Sequence, residues 1–86
     1  MKKSILIALL RTRSKSAVNF QKALTKYGCI IKTRLGIHDG VAGSCSETGL
    51  VILELVGDRK DTAALAKKLN AIPGVSAKLV GISLKK

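Results

Sequence analysis

Two segments of the chain are apolar at almost every position, and they constrain its fold more than any other feature. Residues 4–10 are apolar after the serine, and residues 50–56 are apolar except at Glu54. Runs of this length are too short to cross a membrane and are typical of strands buried on both faces of a sheet. We therefore predict that both segments are central strands.

Each of these strands is followed by a segment with the periodicity of an amphipathic helix. The first helix is predicted to end at Gly28 and the second near Asn70. The candidate N-caps are Ser14 and Ser16 for the first helix, and Asp58 or Asp61 for the second. The apolar stripes are Ala17, Phe20, Leu24 and Tyr27 in the first helix, and Leu65, Leu69 and Ile72 in the second.

Two further segments have the alternating pattern of half-exposed strands. Residues 75–84 form the last predicted strand, with Lys78 on its exposed side. The glycine-rich, aperiodic segment 39–48 is predicted to be a loop. Residues 29–38 form the other strand, with one face carrying Ile31, Thr33, Leu35 and Ile37, and the other carrying Lys32 and Arg34.

The resulting order, β-α-β-β-α-β, is the split βαβ arrangement of a ferredoxin-like fold. We predict a single α+β domain over residues 1–86, with a four-stranded antiparallel sheet and both helices on one face. In this topology the first and third strands are central, and the second and fourth are edges. The apolar runs are the first and third strands, so the pattern agrees with the topology.

One face of such a sheet is left without helices. Either Ile5, Ile7 and Leu9 or the alternate set Leu6, Ala8 and Leu10 must lie on it. A large exposed apolar patch usually marks a surface that binds a partner. We therefore expect a homo-oligomer, a dimer or a tetramer, assembled through the open sheet face or through edge strands.

The chain is strongly basic. Its 86 residues include 16 Lys and Arg against 5 Asp and Glu, a net charge of +11, and the first acidic residue is Asp39. Such a surface can bind nucleic acid or another polyanion, although a solvated basic surface explains the charge equally well. The residues that would form the anion-binding surface are Arg11, Arg13, Ser14, Lys15, Lys22 and Lys26.

The aromatic residues argue against one class of RNA-binding protein. Sheet-based RNA-recognition modules stack bases on aromatic residues of the central strands. Here the only aromatic residues, Phe20 and Tyr27, belong to the buried stripe of the first helix. A sheet that reads RNA by stacking is therefore not expected.

The candidates for catalysis and metal binding are few. A single histidine, His38, and Cys45 are the side chains that could contribute to a metal site, but their spacing matches no closed zinc pattern. No nucleophile has a matched base, so we expect neither an enzyme nor a bound cofactor. Cys29 is expected to be buried, and the absence of CxxC spacing and of a signal peptide favours a cytoplasmic protein.

Several segments between residues 30 and 84 resemble one family of small stand-alone proteins. These segments are Arg34–Ile37, Gly49–Ile52, Thr62–Leu69 and Ile72–Val75, with Lys78. They are similar to the iron-only hydrogenase system regulators, which in turn resemble the C-terminal domain of nickel-responsive repressors and, more loosely, ACT domains. The matching residues are mainly packing positions.

The resemblance implies an ACT-like regulatory oligomer that senses a small ligand and has no DNA-binding segment of its own. The nickel site of the repressors needs several histidines, so nickel sensing is not carried over. The implied ligand cleft lies beside the predicted loop, at a subunit interface. Its candidate residues are Gly36, His38, Asp39, Gly40, Gly43 and Ser44.

Overall fold

The computed structural model describes residues 2–11, 13–38 and 49–84, with residues 13–15 and 37–38 described by their backbone. The predicted order of elements is confirmed, with a short 3-10 helix at Gly28–Ile30 before the second strand. The strands are β1 (Lys2–Leu10), β2 (Ile31–His38), β3 (Gly49–Leu55) and β4 (Val75–Ser83), and the helices are α1 (Arg13–Lys26) and α2 (Arg59–Asn70).

The four strands form one antiparallel sheet in the order β2-β3-β1-β4. This is the ferredoxin-like arrangement that the sequence predicts. The two apolar strands, β1 and β3, are central, and β2 and β4 are the edges. None of the helices within the described residues is long and apolar enough to cross a membrane.

The hydrophobic core lies between the helices and one face of the sheet. Leu6, Ala8 and Leu10 of β1 face the helices and are buried, so the alternate set faces away. Phe20 and Leu65 reach this core from α1 and α2. The other buried apolar residues are Ala23, Leu24, Leu53, Leu55, Leu69 and Val75.

Helix α1 begins earlier than the sequence predicts. It starts at Arg13, so Ser14 and Ser16 lie inside the helix and neither is its N-cap. The Ser16 side chain is buried, and its Oγ donates to the carbonyl oxygen of Pro73 at 3.1 Å. A serine can satisfy its hydroxyl within a core in this way, and the bond joins α1 to the turn before β4. Ala17 of the predicted stripe is exposed instead.

Helix α2 begins and ends as predicted. Asp58 is its N-cap, and its Oδ1 accepts a hydrogen bond from the backbone N–H of Asp61 at 2.9 Å. At the other end, Asn70 bonds the backbone of Ala77 twice, with Nδ2 donating to the carbonyl and Oδ1 accepting from the N–H. Asn70 therefore joins the end of α2 to the edge strand β4.

Two predictions for the second strand were wrong. A β-bulge lies between Ile31 and Thr33, so Ile31 pairs with buried Leu55 and packs against the core instead of sharing a face with Thr33. The chain forms a 3-10 helix before the strand, and this places Cys29 on the surface. An extra residue in one strand reverses which side the following residues face.

Candidate functional site

A groove of about 640 Å³ lies between α1 and the β2–β3 side of the sheet, on the helix-covered face. Its apolar lining includes Leu10, Phe20 and Val51. Gly36 of β2 and Gly49 of β3 also line it, and a Cβ added at Gly36 would meet no atom within 4 Å. We call this the α1–β2 groove; its volume is within the range of about 300–1,000 Å³ typical of small-molecule sites.

Within the described part of the chain, the charged residues that line the α1–β2 groove are basic. Arg34 on β2 and Lys22 on α1 both line it and both have exposed side chains. Among the described acids, Glu54 accepts a hydrogen bond from Lys3, and Asp58 and Asp61 lie at the start of α2. An apolar lining with two cations fits a ligand that has an apolar body and a negatively charged group.

One of the predicted ligand residues lines this groove. Gly36 lies on β2 at a position that faces the helices, where it pairs with Val51 of β3. His38 is the last residue of β2, and its backbone pairs with Gly49 next to the groove. The remaining candidates lie outside the described residues: Asp39, Gly40, Gly43 and Ser44.

Two residues that line the α1–β2 groove, Arg34 and Gly49, were not among the predicted site residues. Arg34 was interpreted as one member of an exposed strand face. The signal that could have placed it is its spacing from Gly36, since residues two apart on a strand share a face. Gly49 gave no comparable signal, because only the pairing of β2 with β3 brings it beside Gly36.

A second groove, of about 420 Å³, lies between the two helices. Lys22 and Lys26 of α1 line it together with Lys68 of α2. We call this the interhelical groove. Lys68 therefore lies in the same groove as two of the predicted anion-binding residues. Arg11 is exposed at the end of β1, and Arg13, Ser14 and Lys15 lie in the first turn of α1, where the structure describes the backbone.

The residues that the structure describes contain no group of three or more His, Cys, Asp or Glu side chains that could hold a metal ion. Of the two side chains considered for a metal, His38 is described by its backbone, and Cys45 lies outside the described residues. Cys29, the free thiol in the described part, lies in the 3-10 helix and lines neither groove.

No protein-family model and no curated protein sequence matches the chain. Several solved structures are similar to it. An uncharacterised protein from Thermotoga maritima superposes with a TM-score of 0.81 at 26% identity, covering 96% of this chain and 100% of that one. A PII-like signalling protein from Thermus thermophilus has a TM-score of 0.64 at 9% identity, covering 95% and 87%.

A third similar structure contains ligands. CPII, a nitrogen regulatory PII-like protein from Thiomonas intermedia K12, bound to ADP, AMP and bicarbonate, has a TM-score of 0.57 at 12% identity, covering 100% of this chain and 98% of that one. At such low identity these likenesses establish the fold. The chain thus has the same ferredoxin-like architecture as PII-like proteins.

Proposed function

We propose that this chain is a small regulatory module that works as an oligomer and senses a ligand in the α1–β2 groove. The observation that carries the proposal is the groove itself, with an apolar lining, the open space at Gly36, and Arg34 and Lys22 among its lining residues. Such a concave apolar site with a few polar groups is the usual form of a small-molecule site.

The groove chemistry favours an organic anion with a flat or aliphatic body. Apolar side chains such as Leu10 and Phe20 would contact the body, and the Arg34 guanidinium would bind a carboxylate or phosphate in a bidentate manner. Adenine nucleotides are the first candidates because they combine an apolar ring with phosphate, and because the similar protein CPII is bound to ADP and AMP. Ligand binding would then favour one state of the module over another.

This groove is formed within a single chain, so the proposed site differs from the cleft at a subunit interface that the family resemblance implies. The resemblance to iron-only hydrogenase system regulators supplies a hypothesis for the process that is regulated. The proposal is for a binding module and includes no catalytic step.

A thermal-shift measurement with AMP, ADP, adenosine and inorganic phosphate at two salt concentrations tests this proposal. Binding to the folded chain raises its melting temperature by mass action. We expect AMP or ADP to raise it at both salt concentrations, and Arg34→Ala to remove most of that rise. Arg59→Ala is the matched control, because Arg59 is exposed on α2 and does not line this groove.

Two results would contradict the proposal. One is a wild-type chain that none of the four compounds stabilises, and the other is an Arg34→Ala chain stabilised as much as the wild type. A rise with phosphate alone that disappears at high salt would indicate general charge screening instead of a groove ligand.

A second candidate function is polyanion binding through the interhelical groove. The specific observation in its favour is that Lys22 and Lys26 line one groove with Lys68 of the other helix. A protein that neutralises several phosphates must lose affinity steeply as salt rises. We would expect Lys26→Ala and Lys68→Ala to reduce the salt slope of binding to duplex DNA by about one unit each, whereas Lys60→Ala, outside this groove, is the control.

A further inference from the structure

The sheet face that points away from the helices is a continuous aliphatic surface. Ile7 and Leu9 of β1 are 38% and 53% exposed, and Leu35 of β2 and Ile82 of β4 are 52% and 56% exposed. The strand register places half-buried residues of the same face between and beside them: Ile5, Leu50, Ile52 and Val80. No element that the structure describes covers this surface, which we call the open face.

The open face carries little of the net charge of the chain. Among the residues that the structure describes, its charged members are Lys3, Lys78 and Glu54, which give it a net charge of +1 within a chain of +11. Lys32 of the bulge is near enough to Glu54 to affect its pKa, and including it would give +2. Two helix layers of this chain would repel each other more strongly than two open faces, because the open face carries only a small part of the positive charge. The surface is therefore suited to a second copy of a basic chain.

The edges of the sheet are less suited to association. On β2 the bulge between Ile31 and Thr33 interrupts the strand, and such bulges are a known protection against edge pairing. On β4 the Asn70 side chain already binds the N–H and the carbonyl of Ala77. Association through either edge would also leave the aliphatic side chains exposed to water. Association through the open face would bury them.

The size of the open face is adequate for a modest interface. Four strands about 4.8 Å apart span roughly 19 Å, and strands with a rise of about 3.3 Å per residue are roughly 25 Å long, so the face measures about 500 Å² in projection. Two copies would bury about 1,000 Å², near the lower limit for a specific interface. Packed sheets lie about 10 Å apart, so the helix layers of the two copies would be separated by more than the Debye length of about 8 Å.

We propose that two copies of this chain associate through their open faces in an isologous dimer, with both helix layers, the α1–β2 grooves and the interhelical grooves on the outside. A two-fold axis brings the same surface of each copy together, so no complementary patch elsewhere is needed. Burial of the exposed Leu9, Leu35 and Ile82 side chains supplies the driving force. This proposal does not depend on the proposed function, because neither groove is part of the interface.

Sedimentation equilibrium tests the dimer. We expect the mean mass of the wild-type chain to approach twice the monomer mass of 9.1 kDa as the concentration is raised to about 100 µM, which requires a dimerisation Kd of about 10 µM or tighter. Leu9→Lys should weaken the dimer at least tenfold, because it places a charge in the interface of both copies. The matched control is Val18→Lys on α1, an equally exposed aliphatic residue outside the face, and it should change the affinity less than twofold.

A wild-type chain that stays monomeric over this range would overturn the proposal, as would a Leu9→Lys chain that dimerises like the wild type. Hydroxyl-radical labelling of the wild-type chain keeps the test independent of whether the variant folds. Labelling of Leu35 and Ile82 should fall as the concentration is raised while that of Val18 stays constant. The opposite pattern, with Val18 protected, would place the interface on the helices and refute the dimer described here.

Discussion

Lys3 and Glu54 connect the two central strands on the open face, where Lys3 Nζ donates to Glu54 Oε2 at 2.7 Å. Thr33 of β2 donates to the other carboxylate oxygen, Oε1, at 3.3 Å. Glu54 thus joins three adjacent strands at one end of the aliphatic surface. The hydrogen bond from Lys3 is the main cause that lowers the pKa of Glu54 below its ordinary value, although partial desolvation opposes it.

Because the pKa of Glu54 is lowered, we predict that the stability of the fold decreases as the pH falls in the acid range. A carboxyl group whose pKa is lower in the folded chain than in the unfolded chain stabilises the fold above its ordinary pKa. That contribution is lost as the pH falls from the ordinary value of 4.5 through the lowered value of the folded chain. We expect Glu54→Gln to flatten the acid limb of a plot of melting temperature against pH. A small effect at neutral pH is expected because the pair is partly exposed.

The control for this experiment is Asp61→Asn, because Asp61 is an exposed carboxylate on α2 and is not the partner of Lys3. The melting temperatures of the wild type and Glu54→Gln should converge at low pH, where both carry a neutral side chain. Curves that stay parallel from pH 7 down to pH 3 would show that Glu54 contributes no proton-linked stability.

The turn between β3 and α2 depends on Gly57. Its φ angle is +102°, and a Cβ added there would lie 3.1 Å from Ile30 Cγ2. Both the backbone conformation and the close contact oppose a side chain, so Gly57→Ala should lower the free energy of unfolding by about 1–2 kcal/mol. Urea denaturation measures this change.

Gly28→Ala provides the comparison for Gly57. A Cβ at Gly28 would meet no atom within 4 Å, and its φ is not positive. The same change of residue should therefore be neutral, or stabilising by a few tenths of a kcal/mol through the unfolded chain. Equal losses of stability at the two glycines would contradict the structural account of the turn.

The two hydrogen bonds of the Asn70 side chain predict how stable two variants at this position are relative to the wild type. Its Oδ1 accepts from the Ala77 N–H at 2.7 Å, and its Nδ2 donates to the Ala77 carbonyl at 2.9 Å. Asn70→Ala should lose about 1–2 kcal/mol, since each hydrogen bond contributes about 1 kcal/mol. Asn70→Asp retains the acceptor but places a carboxylate against a carbonyl oxygen, so at neutral pH it should be no more stable than the alanine variant.

Asn19→Ala on the exposed surface of α1 is the matched control, and it should be neutral or slightly stabilising because alanine favours helix. If Asn70→Ala unfolds at the same urea concentration as the wild type, the side chain does not link α2 to β4 as described.

The periodicity of the sequence was sufficient to predict the order of the elements and the positions of the strands in the sheet. Strands β1 and β3 are apolar on both faces because Leu6 and Leu53 lie under the helices while Ile7 and Ile52 lie on the open face. Strands β2 and β4 lack this double-sided apolar pattern, which agrees with their positions at the edges of the sheet. A bulge has no comparable signal, since it depends on how Ile31 and Thr33 pair with another strand.

The site was predictable only in part. Gly36 was assigned to the ligand cleft through the resemblance to ACT domains, but nothing local shows that it faces the helices, or that Arg34 and Lys22 line the same groove. That juxtaposition requires the packing of α1 on the sheet, which brings together residues from separate elements. The same reason explains why Lys68 was absent from the predicted anion-binding set: it belongs to α2, in the other half of the chain.

The open space at Gly36 yields the most direct prediction for the groove. A valine side chain there would project into the α1–β2 groove, and because a Cβ meets no atom within 4 Å, the fold should accommodate it. Valine also favours a strand over glycine, so the variant should melt at or above the temperature of the wild type. Its stabilisation by AMP or ADP should nevertheless be lost, with an affinity at least tenfold weaker.

Gly81→Val is the matched control, because Gly81 lies on the other edge strand and a Cβ there is in ordinary contact, 3.6 Å from Lys2 Cε. It makes the same change outside the α1–β2 groove, so it should keep the wild-type response to ligand. Loss of the response in Gly36→Val alone would locate the ligand in this groove, because both variants add the same side chain to an edge strand. An unchanged response in Gly36→Val would contradict the proposed site, since the valine side chain would occupy the space beside β2 that the ligand is proposed to use.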